Sequence, residues 1–123
     1  MDKAQALNLF WSSFGLPAYD ETTVPDDAEM PRITYNVATD SLNNVLPLSA
    51  SLWYRSKSWE DITKKSEEIA EAITGHGYIS YPIDGGYLWI VKGTPFAQRM
   101  RDDNDDMIRR IYINITAEFL TAN

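Results

Sequence analysis

Apolar residues near the start of the chain recur every three or four positions. They are Ala4, Leu7, Trp11 and Phe14. This spacing places side chains on one face of an α-helix, and Gly15 followed by Pro17 provides a stop. The pattern predicts an amphipathic helix over residues 2–14. Residues 16–31 contain three prolines, five acids and no base, and predict an acidic connection with at most a short extended piece.

Two later stretches alternate apolar and polar residues with the period of a β-strand. The predicted inward residues are Ile33, Tyr35 and Val37 in residues 32–39, and Leu46, Leu48, Ala50, Leu52 and Tyr54 in residues 45–56. The link DSLNN between them predicts a hairpin. Pro47 has no N–H to donate to a strand ladder, so we expect that end of the second strand to lie at an edge or a bulge.

A second helix is predicted over residues 59–74. Ser58 with Asp61 three positions later resembles a capping box, and Gly75 follows the last apolar position. The helix face that we expect to be buried carries Ile62, Ser66, Ile69, Ala70 and Ile73. The opposite face carries lysines and glutamates and is typical of a solvated surface.

The last third of the chain predicts three strands. Residues 78–92 form a hairpin around the turn sequence DGG, because such residues tolerate positive backbone angles. Residues 110–119 form the longest strand. Its apolar face carries Ile111, Ile113, Ile115, Ala117 and Phe119.

These elements predict an α+β fold with a mostly antiparallel five-stranded sheet and two helices packed on one face. Their order is helix, two strands, helix, three strands. With 123 residues, of which 44% are hydrophobic, the chain is expected to form a single domain over residues 1–123. The absence of cysteine excludes disulfides and thiolate sites. Short apolar runs predict neither an export signal nor a membrane span, and hence a protein kept in cytosol-like solvent.

The formal net charge of −7 has the wrong sign for a protein that grips phosphates. It is compatible with a surface that DNA passes without adhering. Asp102, Asn104 and Asp106 match the first positions of a calcium loop, but Met107 stands where that loop needs glycine and Ile113 where it needs glutamate. Since His76 in GHG is typical of a helix end and no catalytic set is present, we expect no enzymatic activity, cofactor or metal.

Three segments carry a resemblance to a known family: GLPAYDETTVPDDAEMPRITYNV, SLWYRSKSWEDITKKSEEIAEAI and MIRRIYINITAEF. Their succession resembles the tail terminator, or tail completion, proteins of long-tailed bacteriophages and covers nearly the whole chain. The resemblance lies in the layout of elements, and no residue role is carried over. Arg32 follows Pro31 where the family favours an aromatic residue, so we expect that strand to begin at a more exposed position.

The resemblance implies a homohexameric ring on the end of the tail tube, within the virion tail or neck and made in the bacterial host cytoplasm. Such a ring stops tube growth and offers a surface for joining the head. Its partners would be other copies of the chain, the tail tube protein and a head–tail connector or stopper protein, with DNA only as passing cargo. The alternatives are another neck or minor capsid component, or a monomeric or dimeric module that binds a host protein.

The segment GTPFAQRMRDDNDDMIRR, residues 93–110, is the candidate interface. Its first fifteen residues form a connection longer than a hairpin needs, and long connections with apolar residues are often functional. The candidate interface residues are Phe96, Arg99, Met100, Arg101, Asp102, Asp103, Asp105, Asp106, Arg109 and Arg110. We expect Phe96 and Met100 to act as anchors outside the core, and the charges to set the register against a neighbouring subunit or the tail tube.

A ring through which DNA passes would place acids along its channel. The acidic connection supplies the candidate lumen residues Asp20, Glu21, Asp26, Asp27 and Glu29. The acid-rich face of the second helix is the other candidate.

Overall fold

The structure is a computed structural model that describes residues 1–42 and 44–122. Its helices are α1 (Lys3–Ser12) and α2 (Glu60–Thr74), and its strands are β1 (Ala18–Asp20), β2 (Arg32–Tyr35), β3 (Val45–Arg55), β4 (Ile79–Ile83), β5 (Gly86–Met100) and β6 (Ile108–Leu120). The predicted α+β class and both helices are confirmed. The prediction of five strands is wrong, because six strands form one sheet in the order β1-β2-β3-β6-β5-β4.

The sixth strand is the short extended piece of the acidic connection. Ala18–Asp20 pairs in parallel with β2, whereas all other neighbouring strands are antiparallel, so the sheet is mixed. The backbone N–H groups of Ile33 and Glu21 donate to the carbonyls of Pro17 and Tyr35 and hold β1 against β2. Three residues are too few to show an alternating pattern, which is why the sequence does not reveal this strand.

Helix α1 begins with a capping box. The Asp2 carboxylate accepts the Gln5 N–H, and the Gln5 side chain accepts the Asp2 N–H. The buried face carries Ala6, Leu7, Phe10, Trp11 and, just beyond the helix, Phe14. The prediction that Ala4 is buried is wrong, because Ala4 is exposed. The buried face is centred on the large rings of Phe10 and Trp11, and Ala4 lies outside it.

The sheet curls around α1, which contacts β1 at one edge of the sheet and β4 at the other. On one side the Trp11 ring stacks on Tyr35, with ring centroids 6.4 Å apart. On the other side the Met1 ammonium lies 2.9 Å from the Asp84 carboxylate, beside the turn after β4. One short helix therefore covers both edges, and the opposite face of the sheet is convex.

Strands β2 and β3 are antiparallel neighbours, as predicted for a hairpin, but β2 is shorter than expected. It ends at Tyr35, and Val37 is 36% exposed rather than buried. The ladder with β2 covers only Ala50 to Trp53 of β3, so the earlier part of β3, with Pro47, pairs on one side only, with β6. Pro47 thus lies where β3 has an open side, as expected for a residue without an N–H.

Helix α2 buries Ile62, Ser66, Ile69 and Ile73, as predicted, whereas Ala70 is only partly buried. The predicted capping box is wrong. The N-cap residue is Trp59 and makes no side-chain cap bond, while the Ser58 hydroxyl accepts the Glu60 N–H 3.0 Å away. Asp61 lies inside the first turn of the helix, where a carboxylate is favourable next to the positive end of the helix dipole.

The predicted hairpin of β4 and β5 is confirmed, with its turn at residues 84–85, but β5 does not stop at residue 92. It continues to Met100 and pairs with β6 on both sides of an irregularity between Lys92 and Ala97. Most of the predicted long connection is therefore strand, and the connection itself is residues 101–107. The sequence does not predict this second half of β5, because proline, glycine and charged residues interrupt its alternating pattern.

Strand β6 lies at the centre of the sheet and is buried on alternate residues, as predicted. Ile111, Ile113, Ile115, Ala117 and Phe119 are at most 3% exposed and form one core cluster with the apolar faces of α1 and α2. We call this the helix face of the sheet, and the convex side the outer face.

Candidate docking surface

The turn between β5 and β6 is held together by its own aspartates. One Asp102 carboxylate oxygen accepts the N–H groups of Asn104 and Asp105 at 2.8 and 3.1 Å, and the Asp105 carboxylate accepts the Met107 N–H at 2.9 Å. Short acidic side chains commonly close turns in this way. These carboxylates therefore have a local structural role in the turn.

Asp105 also ties the turn to the end of β3. Its carboxylate lies 3.0 Å from the Arg55 guanidinium. The Met107 N–H, and to a smaller extent Arg55, hold the pKa of Asp105 below its ordinary value, because both favour the charged form. The turn is thus anchored to a strand outside its own hairpin.

Two arginines lie over the ring of Trp59 on the helix side of the sheet. The guanidinium carbon of Arg99 is 4.7 Å from the ring centroid and that of Arg109 is 5.3 Å away. Arg109 also donates to the carbonyls of Asp106, Ile108 and Lys57. Within the described residues Arg99 makes no hydrogen bond or ion pair, so its N–H groups remain available to an external acceptor.

The turn, Trp59 and these arginines enclose an open depression of about 650 Å³, which we call the Trp59 hollow. It is lined by Trp59, Arg99, Met100, Arg101, Asp102, Asp103, Asn104, Asp105, Asp106, Ile108 and Arg109. An aromatic ring with exposed cations and flanking carboxylates is suited to a polar partner segment that carries its own charges.

A second tryptophan lies between two arginines on the outer face. Arg32, Trp53 and Arg110 are directly opposite one another on three adjacent strands. Both guanidinium carbons lie over the Trp53 ring, at 5.7 Å for Arg32 and 4.7 Å for Arg110. With Arg55, Arg99, Arg101 and Arg109, all six arginines of the chain lie at this end of the sheet, which we call the arginine end.

Eight of the ten candidate interface residues line the Trp59 hollow, and two do not. Phe96 is half-buried and packs against the core, so the prediction that it lies outside the core is wrong. Arg110 lies on the outer face, opposite Ser51 and Trp53, because it alternates with Arg109 along β6. Sequence reasoning missed Trp59, which is half-buried against the core, although a tryptophan at the start of a polar helix was a signal of a special position.

The candidate lumen residues lie at the end of β1 and in the loop between β1 and β2, at one edge of the sheet. Asp20 belongs to β1, and its carboxylate accepts both the N–H and the hydroxyl of Thr22, which lowers its pKa. The side chains of Asp26, Asp27 and Glu29 are exposed and have no cation partner among the described residues. Glu29 nevertheless lines a depression with Arg32 and Arg55, so Asp26 and Asp27 are the loop acids farthest from the arginine end in this respect.

The acids of helix α2 differ from those of the loop. Glu60 and Glu68 form ion pairs with Lys64 and Lys65, each at 3.1 Å. His76 is exposed beyond the end of this helix. Across residues 1–42 and 44–122, no three histidine, cysteine or acidic side chains cluster in a way that could hold a metal ion.

No protein-family model, curated protein or solved structure matched this chain. Within the part of the chain that the structure describes, no helix combines the length and apolarity needed to cross a membrane.

Proposed function

We propose that this chain is a structural docking subunit, of the kind that forms a ring at the end of a bacteriophage tail tube. In this role it stops growth of the tube and provides the surface to which the head is joined. The proposal rests on the resemblance of the three sequence segments to tail terminator proteins and on the chemistry of the Trp59 hollow.

The observation that carries the docking proposal is that the Arg99 guanidinium has a stacking partner but no hydrogen-bond acceptor within the described chain. This guanidinium is held in place by the Trp59 ring, yet within the described chain it has no acceptor for its five N–H groups. A held but unpaired guanidinium binds a carboxylate at little entropic cost, since its orientation is already restricted. The partner segment is therefore one that brings a carboxylate to the hollow, from a neighbouring subunit or from the tail tube.

The loop of residues 20–29 is the better of the two lumen candidates. The acids of α2 are partly neutralised by lysines on the same helix, whereas Asp26, Asp27 and Glu29 have no such partners in the described chain. A channel lined by this loop repels phosphate and leaves DNA free to pass.

Arg99→Ala tests the docking role. The substitution should leave the fold intact, because Arg99 is exposed and makes no hydrogen bond or ion pair within the described chain. Light scattering of the purified protein should show a loss of ring-sized particles, and complementation of a phage that lacks the gene should give tails of uncontrolled length.

Lys92→Ala is the matched control. Lys92 is an exposed cation on the same strand and lies over the Phe96 ring, 5.6 Å from its centroid, away from the hollow. It should assemble as the wild type does. An Arg99→Ala protein that also forms normal rings and completes tails would remove the Trp59 hollow from the mechanism.

A further inference from the structure

The outer face of the sheet has opposite chemistry at its two ends. At the arginine end, the β6 residue Arg110 has a guanidinium that stacks on Trp53 and donates from Nε to the Ser51 hydroxyl. Among the described residues it has no carboxylate partner. Eight residues further along the same row of β6, Glu118 has no cation partner in the described chain.

The end that carries Glu118 is apolar around that carboxylate. Val45 and Trp89 lie directly opposite Glu118 on the two neighbouring strands and are 58% and 40% exposed. The Tyr78 ring stacks on Trp89 with centroids 4.7 Å apart, and Tyr87 is 54% exposed. Exposed aromatic and branched residues grouped in this way mark a surface that binds another protein.

The row of residues along β6 is self-complementary. Arg110 and Glu118 each lie four residues from Asn114, and every second residue of a strand points to the same face. Consider two copies related by a twofold axis that lies between them, perpendicular to the strands, and passes over Asn114. This rotation places Arg110 of one copy opposite Glu118 of the other. This contact occurs twice.

The neighbouring strands match under the same rotation. Met100 lies directly opposite Arg110 on β5, so it meets Trp89 of the second copy, and a thioether against an aromatic ring is a favourable contact. Trp53 on β3 meets Val45 in the same way. A twofold axis along the strands would instead place Arg110 on Arg110, which like charges disfavour.

We propose that the outer face binds a second copy of this chain, with the two sheets face to face and the strands antiparallel about Asn114. The contact is confined to β3, β6 and β5, because the sheet curls away from its partner at both edges. From strand geometry this area is about 40 Å by about 14 Å. It is small for a stable interface, so the pair is weak and depends on concentration.

This proposal does not depend on the proposed function. A ring requires a heterologous contact, in which different surfaces meet, whereas this pair uses one surface twice. The pair uses the outer face, and the docking role uses the Trp59 hollow on the helix side. Met100, which lines the hollow and lies opposite Arg110, is a residue that the two surfaces share, whereas Arg99 is not part of the pair. Arg99→Ala should therefore weaken ring formation without changing the pair.

Charge reversal tests the register of the pair. Sedimentation velocity from about 1 µM to about 1 mM should detect the wild-type pair. Arg110→Glu and Glu118→Arg should each weaken pairing about tenfold or more, because each places two like-charged contacts in the interface. An equimolar mixture of the two variants should regain the wild-type affinity, since both contacts in the mixed pair join opposite charges.

Glu67→Arg is the control for the change in net charge, because Glu67 is exposed on α2 and away from the outer face. It should pair as the wild type does. The proposal is wrong if the wild type stays monomeric over the whole range, if either reversal leaves pairing unchanged, or if the mixture fails to recover.

A cross-link tests the axis without reversing any charge. The chain contains no cysteine, so Asn114→Cys supplies a single thiol at the position of the axis. Face-to-face sheets lie about 10 Å apart, too far for a disulfide but within reach of a short bismaleimide. Cross-linked dimers should form with Asn114→Cys and not with Glu67→Cys; equal yields from both variants would refute the axis at Asn114.

Discussion

Asp105 illustrates how a charged residue that looks like a ligand can act as a structural cap. In the sequence it belongs to a cluster of four aspartates, which suggests a cation site. In the structure its carboxylate accepts the Met107 N–H and pairs with Arg55. Both the Met107 N–H and the Arg55 guanidinium favour the charged carboxylate, which is why the pKa of Asp105 is lowered.

The lowered pKa of Asp105 gives a pH-dependent prediction. A carboxylate whose folded pKa lies below its unfolded value of about 3.9 contributes stability above that value. That contribution is lost as the pH falls through the folded pKa. Asp105→Asn should therefore lower the melting temperature at pH 7, and the difference from wild type should be smaller at about pH 2, because the Asp105 carboxylate becomes protonated as the pH falls through its folded pKa.

Asp103→Asn is the control for that experiment. The ion pair of Asp103 with Arg101 is highly exposed, with side-chain exposures of 81% and 89%. Such pairs contribute little to stability, so its melting temperature should follow that of the wild type at both pH values. A constant difference between Asp105→Asn and wild type across this range would contradict a role for the charge.

The sequence predicts that Phe96 lies outside the core, but the structure places its ring against the core. Because its half-buried ring packs against the core, Phe96→Ala should lower the free energy of unfolding by about 1–3 kcal/mol. Denaturant titration measures this value. Tyr87→Ala, at an exposed position on the same strand, should change it by no more than about 0.5 kcal/mol. Equal effects of the two substitutions would mean that Phe96 is only a surface residue.

At the scale of elements, the length of β5 decides what surface the molecule presents. Because β5 continues to Met100, Arg99 is fixed beside Trp59, and the connection shrinks to residues 101–107. Strand pairing across the irregularity requires a close approach at Gly93, where an added Cβ would lie 2.8 Å from the Asn114 Cβ. The sheet thus carries the docking residues on a rigid element.

Gly86 at the start of β5 allows a closer approach to β6. A Cβ at this position would overlap the carbonyl group of Leu120. Gly86→Ala should therefore destabilise the protein by at least about 2 kcal/mol, because the backbones of β5 and β6 would have to separate. Thermal unfolding with van't Hoff analysis checks this value.

Gly15→Ala is the control for Gly86→Ala, because it introduces backbone strain without a steric clash. Gly15 has a positive φ of 81°, but an added Cβ there would meet no atom within 4 Å. Its cost should be about 1 kcal/mol, from the left-handed backbone alone. If Gly86→Ala cost no more than Gly15→Ala, the close approach of β5 and β6 would not matter to stability.

At the scale of the whole molecule, the basic residues are more concentrated than the acids. All six arginines lie at one end of the sheet, together with the aspartates of the turn between β5 and β6, while Asp26, Asp27 and Glu29 are exposed in the loop between β1 and β2. The net charge of −7 therefore does not describe any one surface. In the proposed ring, the loop is the part suited to face DNA, and the arginine end is suited to bind protein.

Reversing the charge of this loop tests its proposed place in the channel. Asp26→Lys, Asp27→Lys and Glu29→Lys together should leave tails of normal length but slow DNA ejection, because phosphates would be attracted within the screening distance of about 8 Å. Ejection kinetics from purified particles measure the effect. Glu67→Lys with Glu71→Lys, on α2, is the matched control and should eject at the wild-type rate. Normal ejection from particles shown to contain the loop variant would remove this loop from the channel.

The sequence alone determined the elements whose apolar residues repeat over many positions. Helix α2 and β6 follow from periods of 3.6 and 2, and their buried residues match the prediction except for Ala70, because amphipathic periodicity reflects which face meets the core. The second hairpin follows from its turn sequence. Only the tertiary structure decided the features that depend on contacts between distant residues. β1 is defined by its pairing with β2, the second half of β5 pairs with β6, and α1 contacts the strands at both edges of the sheet. The same holds for the candidate site: the sequence located its charges, but the apposition of Trp59 with Arg99 and Arg109 joins residues at least 40 positions apart, which no local pattern encodes.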